Sequence, residues 1–214
     1  MGPARALVFD FNGTLSHDEP LLCAIYQELF AEHGRPLSEN EYYEHLAGRS
    51  EEAIVGGWLG VEGAELRSLV DERVERYRRR ADGSTVPAPV RDAVREAARH
   101  VPVAVVSGAY RREIEPVLAG AGLAEAIAVV VAADDVTRGK PDPEGYLCAL
   151  ARLGEDLQPG DVVAFEDTGA GVASARGAGL RCLAVRGTVP DARLAAADAI
   201  VDAIDADLVR SLVG

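Results

Sequence analysis

The sequence has little of several residue types, and each shortage narrows the classes of protein it can encode. Its 214 residues include three cysteines, at positions 23, 148 and 182, without a Cys-x-x-Cys pair. This spacing indicates ordinary buried thiols in a reducing compartment. No stretch approaches eighteen uninterrupted apolar residues, and no charged-then-apolar leader precedes the first apolar run. We therefore expect no membrane span, no secretion signal and a cytoplasmic location.

Lysine is scarcer still, and the balance of charge is acidic. Of 22 basic residues only Lys140 is a lysine, and the net charge is −13. Where arginine serves almost everywhere else, a retained lysine suggests that a compact ammonium is needed at that position. The acidic balance argues against nucleic acid as a partner. An anionic substrate would need local positive charge, from a metal or from a few basic side chains.

Apolar runs and helical periodicity alternate along most of the chain. This alternation predicts an α/β fold with a doubly wound parallel sheet, because parallel strands need crossover helices on both faces. The predicted strands are 5–9, 101–106, 127–131, 161–165, 181–185 and a short one near residue 200. The predicted helices between them are 90–100, 110–120, 143–153 and 170–178.

Directly after the first strand the pattern is helical only. Four apolar periodicities run from Asp18 to about Ala81, and a stiff, proline-rich stretch follows at 84–89. We interpret these four helices as a cap inserted into the sheet domain. The predicted domains are residues 1–15 with 86–214 for the core, and 16–85 for the cap.

Polar residues stand where predicted strands end, on the side of an open α/β sheet where ligands bind. Asp10 follows the first strand and Ser107 the second. Lys140 opens the helix after the third strand, and Glu166 and Asp167 follow the fourth. One reaction needs such a set, namely the attack of an aspartate on a phosphoryl group, in which negative charge must be neutralised by a metal and a fixed cation.

Each residue of this set has a predicted role. Asp10 and Asp167 are hard oxygen ligands suited to Mg²⁺, which keeps several waters, and Glu166 can hold one of those waters. The Ser107 hydroxyl and backbone N–H groups at Gly108 are candidates for binding phosphoryl oxygens. A turn serine and an acidic helix N-cap pair are the structural alternatives for the same residues.

The four motifs, in order, resemble the haloacid dehalogenase superfamily, in the subfamily with an α-helical cap that includes phosphoglycolate phosphatase-like and β-phosphoglucomutase-like proteins. They read Asp-Phe-Asn-Gly-Thr-Leu, Ser-Gly, Gly-Lys-Pro-Asp-Pro-Glu and Phe-Glu-Asp-Thr-Gly-Ala-Gly. The resemblance implies a Rossmann-like core and Mg²⁺-dependent hydrolysis of a small phosphorylated metabolite through an aspartyl-phosphate on Asp10, with Lys140 binding phosphate and nucleophile. It makes Arg49, in the cap segment Gly48-Arg49-Ser50, a candidate for substrate binding. We expect a monomer or a weak homodimer.

The chain departs from the family pattern at Asn12, where phosphatases of the superfamily carry a second aspartate. The backbone carbonyl of that residue binds the metal, which an asparagine still offers. Its carboxyl group moves protons, which an amide cannot do. His17 and Asp18 are the nearest replacements. We therefore expect a slow or specialised phosphatase, and expect Asn12→Asp to raise turnover at least about tenfold.

Two alternatives remain open at this position. The chain can be a catalytically weak protein that binds a phosphorylated ligand, or an Asp-to-Asn variant made to trap a complex of an active phosphatase or mutase. A mutase must move protons in both half-reactions, which an amide at position 12 disfavours.

Overall fold

A computed structural model of the protein describes residues 2–214. Its sheet has six parallel strands in the order β3-β2-β1-β4-β5-β6. The strands are β1 Ala6–Phe9, β2 Val103–Val106, β3 Val129–Val131, β4 Val162–Glu166, β5 Arg181–Val185 and β6 Ala199–Val201. All six predicted strands are confirmed, with ends that shift by one or two residues. The doubly wound α/β fold is confirmed as well.

The first strand is buried on both faces, which explains its unbroken apolar run. Leu7 and Phe9 belong to one hydrophobic cluster, whereas Ala6 and Val8 belong to a second cluster. Successive side chains of a strand point to opposite faces, so each face of the sheet is covered by its own layer. Helices supply these layers: α5 Ala88–Ala98, α6 Arg111–Gly120, α7 Glu144–Leu153, α8 Gly169–Gly177 and α9 Ala206–Val213.

The cap helices lie between β1 and β2 in the chain, as predicted. They are α1 Glu19–Glu32, α2 Glu39–Glu41, α3 Glu51–Leu59 and α4 Gly63–Arg78. The second of them is shorter than the periodicity predicts, because α2 passes directly into a π-helical turn at Tyr42–Leu46. The cap boundaries at residues 16 and 85 stay predictions.

The two linkers between core and cap lie side by side. The Ser16 hydroxyl donates to the Thr85 hydroxyl oxygen at 2.7 Å, and the His17 N–H donates to the Thr85 carbonyl at 2.8 Å. These bonds tie the chain where it enters the cap to the chain where it leaves.

No helix among residues 2–214 is long and apolar enough to cross a membrane.

A buried ionic cluster joins the cap to the core. The Arg73 guanidinium in α4 is 1% exposed and lies 2.5 Å from the Glu113 carboxylate in α6. It also contacts Glu51 of α3, whose carboxylate accepts a hydrogen bond from the Tyr26 hydroxyl. Burial raises the pKa of Glu113 to about 7, although Arg73 opposes that rise. Two carboxylates therefore depend on one buried cation.

Replacing that cation should destabilise the fold strongly. We expect Arg73→Met to lower the free energy of unfolding by about 3–5 kcal/mol, because two carboxylates would lose their counter-charge in a buried place. Denaturant unfolding measures the difference. Arg78→Met is the matched control on the same helix, because Arg78 is 40% exposed and its pair with Glu75 should contribute about 0–1 kcal/mol. Equal losses in the two variants would contradict the prediction.

Candidate active site

The ends of three adjacent strands bring the predicted polar residues together. β1 lies between β2 and β4 in the sheet, so Asp10, Ser107 and Glu166 meet at one edge. The Asp10 N–H donates to the Phe165 carbonyl at 2.9 Å, which holds the carboxylate-bearing residue beside β4. The residues directly before Asp10 and Glu166 are apolar, and their rings, Phe9 and Phe165, stack with centroids 4.7 Å apart. A rigid scaffold therefore carries the site.

Three carboxylates converge at this edge. Oxygen atoms of Asp10, Glu166 and Asp167 all lie within 4.8 Å of one another, and each residue is at most 7% exposed. Among residues 2–214, Asp167 Oδ2 and Glu166 Oε2 have no hydrogen-bond partner. Buried oxygen atoms without donors are costly unless a cation binds them. The donor set is one that a hard divalent metal prefers, so the residues present fit such an ion.

The electrostatics of the cluster favour a cation as well. Burial raises the pKa of Asp167 well above its ordinary value, and the neighbouring Asp10 and Glu166 carboxylates raise it further. Burial also raises the pKa of Glu166 to about 7, against the opposing effect of Lys140. Three carboxylates face one ammonium, which leaves negative charge for a bound metal to balance.

Glycine at position 13 gives the cluster its room. Gly13 has φ +75°, a conformation that side chains rarely adopt, and a Cβ there would lie 1.9 Å from Asp167 Oδ2. The turn after β1 can therefore approach Asp167 only without a side chain. The glycine of the first motif therefore leaves room for the carboxylate of Asp167, which follows the fourth strand.

Lys140 reaches the centre of the cluster. Its ammonium contacts Asp10 Oδ1, lies 2.6 Å from Glu166 Oε1 and donates to the Val106 carbonyl at 3.1 Å. Burial alone would lower the pKa of Lys140, but the Asp10 and Glu166 carboxylates outweigh it and raise that pKa. The single lysine of the chain is therefore a fixed cation beside Asp10, where the sequence predicted one.

Ser107 and Gly108 follow β2 and line the cavity with Asp10. The Ser107 Oγ accepts from the Ala109 N–H at 3.0 Å, which fixes the hydroxyl oxygen and leaves its proton free to donate. Gly108 is exposed at the cavity, with no side chain over the backbone. Both residues therefore line the cavity beside Asp10, and their contact with phosphate stays a prediction.

A cavity of about 290 Å³ separates the sheet edge from the cap. Core and cap both line it, with Asp10, Asn12, Ser107, Lys140 and Asp167 below and Glu19, Tyr42, Arg49, Glu51 and Glu52 above. This volume suits a small ligand. Arg49 is exposed and lines the cavity from the cap, where its positive charge can meet an anion.

A family model of the haloacid dehalogenase-like hydrolases matches residues 4–179. The chain belongs to this family. Two similar proteins are validoxylamine A 7'-phosphate phosphatase of Streptomyces hygroscopicus subsp. limoneus and N-acetylmuramic acid 6-phosphate phosphatase of Pseudomonas aeruginosa. The first is 31% identical over 92% of each chain, and the second 32% identical over 85% of this chain and 81% of its own.

A solved structure supports the same relationship. CbbY from Rhodobacter sphaeroides, in complex with phosphate, superposes with a TM-score of 0.83 and 27% identity over 96% of each chain. The resemblance that the four motifs indicate is therefore confirmed for the family and for the fold.

The side chain of Asn12 in this hydrolase is hydrogen-bonded to a buried carboxylate, that of Asp18. Its Nδ2 donates to Asp18 Oδ2 at 2.9 Å, and the Tyr77 hydroxyl donates to the same oxygen. Asp18 is fully buried, which raises its pKa to about 6 although these hydrogen bonds oppose the rise. His17 and Asp18 were the two predicted replacements for a catalytic carboxylate, and of these only Asp18 contacts Asn12. His17 is exposed and does not line the cavity.

Glu19 is a cavity-lining residue that the sequence analysis did not name among the candidates. Its carboxylate lines the cavity and accepts from the Tyr42 hydroxyl at 2.9 Å. Burial, followed by the neighbouring Asp18 and Asp10 carboxylates, raises the pKa of Glu19 to about 7. A signal was present, because Pro20 marks the start of α1 and so places Glu19 at the helix end nearest the strand ends.

Proposed function

We propose that the chain is a Mg²⁺-dependent phosphatase that hydrolyses a small phosphorylated metabolite through an aspartyl-phosphate on Asp10. The observation that carries this proposal is the Asp10 carboxylate at the cavity floor, with Lys140 on one oxygen and two further carboxylates beside it. Similarity to phosphatases named for validoxylamine A 7'-phosphate and N-acetylmuramic acid 6-phosphate supports a phosphorylated carbohydrate or a related polyol as the substrate.

Asp10, Asp167 and the Asn12 backbone carbonyl would hold the Mg²⁺ ion, and Glu166 would hold one of its waters. The ion would supply neutralising charge for the phosphoryl group and the nucleophile. Lys140 contributes a second positive charge, and Ser107 with the Gly108 backbone binds the phosphoryl oxygens. Arg49 binds an anionic or hydroxyl group of the leaving portion from the cap.

The first half-reaction joins Asp10 to phosphorus and expels an alcohol. An Asp10 carboxylate oxygen attacks the phosphorus atom, a new P–O bond forms, and the bond from phosphorus to the leaving oxygen breaks. An amide at position 12 can donate a hydrogen bond but has no acidic proton to transfer, so a monoanionic substrate passes its own phosphoryl proton to the leaving oxygen. Substrates with acidic leaving groups, such as acyl or aryl phosphates, should therefore react fastest.

The second half-reaction frees the enzyme. A water oxygen attacks the phosphorus of the aspartyl-phosphate, and the bond from phosphorus to the Asp10 oxygen breaks. Both protons of the water leave with the phosphate, which departs as dihydrogen phosphate, and Asp10 returns as a carboxylate. The alternative function, binding of a phosphorylated ligand without turnover, predicts no second half-reaction.

Phosphate release from a panel of phosphorylated sugars, cyclitols and acids, measured with Mg²⁺ and with chelator, tests the proposal. We expect steady release that chelator abolishes. Asp167→Asn should lose most affinity for Mg²⁺, measured calorimetrically, and nearly all turnover, because it removes one of three clustered carboxylates. Asp207→Asn is the control, since Asp207 is 88% exposed on α9. Full activity in chelator would overturn the metal assignment.

A further inference from the structure

Asn12 lies at the top of a short chain of buried hydrogen bonds that crosses from core to cap. Asn12 borders the cavity, Asp18 is fully buried under it at the hinge, and Tyr77 comes from cap helix α4. Asp18 Oδ2 accepts from both the Asn12 amide and the Tyr77 hydroxyl, whereas Asp18 Oδ1 has no partner among residues 2–214. The buried Asp18 carboxylate thus holds the Asn12 amide of the first motif by a hydrogen bond.

This contact fixes which end of the Asn12 amide faces the cavity. A carboxylate oxygen only accepts hydrogen bonds, so the NH₂ group of Asn12 must face Asp18. Turning the amide over would set its carbonyl oxygen against a carboxylate oxygen in a buried place, with two acceptors and no donor. The Asn12 Oδ1 atom is therefore the one directed away from Asp18, and Asn12 lines the cavity together with Asp10.

We propose that Asn12 and Asp18 act as one unit in the hydrolytic step. Asp18 is a positioning residue that orients the Asn12 amide, and Asn12 Oδ1 accepts a hydrogen bond from the water that attacks the phosphoryl group. The first motif thus has an amide, Asn12, where a carboxylate is expected, and the carboxylate is supplied by Asp18 at the hinge. Tyr77 secures this arrangement from the cap.

The pairing changes what a carboxylate at position 12 would do. Asn12→Asp alone would place a second carboxylate within hydrogen-bond distance of the buried Asp18 carboxylate. Two negative charges at that distance repel each other. We therefore expect this variant to be no faster than the unaltered chain, in place of the tenfold gain that the motif alone predicts. Asn12→Asp with Asp18→Asn restores one carboxylate and one amide in the reversed order.

A double-mutant cycle on these two residues tests the proposal. We expect Asp18→Asn to lower kcat about tenfold to a hundredfold with KM within about twofold, because an amide at 18 supports either orientation of Asn12. The double variant should be at least about tenfold faster than Asn12→Asp alone. Asp82→Asn, an exposed acid near the second linker, is the control. Multiplicative effects of the two changes would overturn the coupling.

A second measurement does not depend on turnover. The side-chain NH₂ resonances of Asn12, assigned by their loss in Asn12→Asp, should shift in Asp18→Asn and exchange faster with water. Unchanged resonances would overturn the proposal even if the variants are inactive. The inference rests on the proposed phosphatase function, and the two fail differently: no phosphate release by the unaltered chain refutes the function, whereas release with an uncoupled cycle refutes the pairing.

Discussion

Asp10→Asn should reduce turnover by at least about 10⁴-fold, the scale of loss that follows removal of a nucleophile. A neutral amide oxygen attacks phosphorus poorly, and no other carboxylate of the cluster takes its place. In the proposed site Asp167 is a ligand of the metal, and Glu166 is engaged by Lys140 and by the Tyr146 hydroxyl at 2.5 Å. Initial rates of phosphate release, with the best substrate of the panel, measure the loss.

The same variant separates binding from chemistry. Because one of three neighbouring negative charges disappears, we expect Asp10→Asn to bind a phosphorylated substrate as well as the unaltered chain or better once Mg²⁺ is supplied at a concentration that offsets the loss of one proposed ligand, measured by calorimetry. The unaltered chain, quenched in acid during turnover, should yield a phosphorylated peptide that contains Asp10. A variant that keeps a substantial share of the activity, or a quenched chain phosphorylated at another residue, would refute Asp10 as the nucleophile.

Lys140→Arg should lower turnover by about 10²–10³-fold, the scale reported for loss of one fixed donor at a site of developing charge. The ammonium serves three acceptors at one point, namely Asp10, Glu166 and the Val106 carbonyl. A guanidinium is planar and longer, and it cannot reproduce three converging contacts in a place where the lysine side chain is 14% exposed.

The arginine variant is the informative one because it keeps the charge. Lys140→Met serves as the comparison, and we expect both variants to lose activity to a similar degree, measured as kcat/KM. Arg99→Lys is the control for a charge-conserving change away from the cavity, because the Arg99 side chain at the C-terminal end of α5 is 71% exposed. Near-normal turnover of Lys140→Arg would mean that only the positive charge matters and that the lone lysine of the chain is incidental.

The sheet and the residues at its edge were predictable because each signal is local. An apolar run that ends in a polar residue locates both a strand and its carboxyl end, and parallel strands bring those ends to one edge. Asp10, Ser107 and Asp167 follow from that rule alone. Helical periodicity predicted the cap equally well, although it could not show that α2 widens into a π-helical turn at Tyr42–Leu46.

The contacts that tune the site were not predictable, because their partners are far apart in the chain. Asp18 and Tyr77 are separated by 59 positions and meet only when the cap folds back on the hinge. Arg73 did leave a trace in the sequence. It falls between Val70 and Val74 at helical spacing, on the face that α4 buries, and a charged residue on such a face needs a buried partner. Nothing local says which partner.

The ionic cluster around Arg73 has a consequence for protein engineering. Exchanging the cap with that of a relative is an obvious route to a new substrate range, because cap side chains line the roof of the cavity. A transplanted cap without an arginine at this place would leave Glu113 of the core, 1% exposed, without its counter-charge. The cap of this chain is therefore not a separable module, and a chimaera should carry α6 together with it.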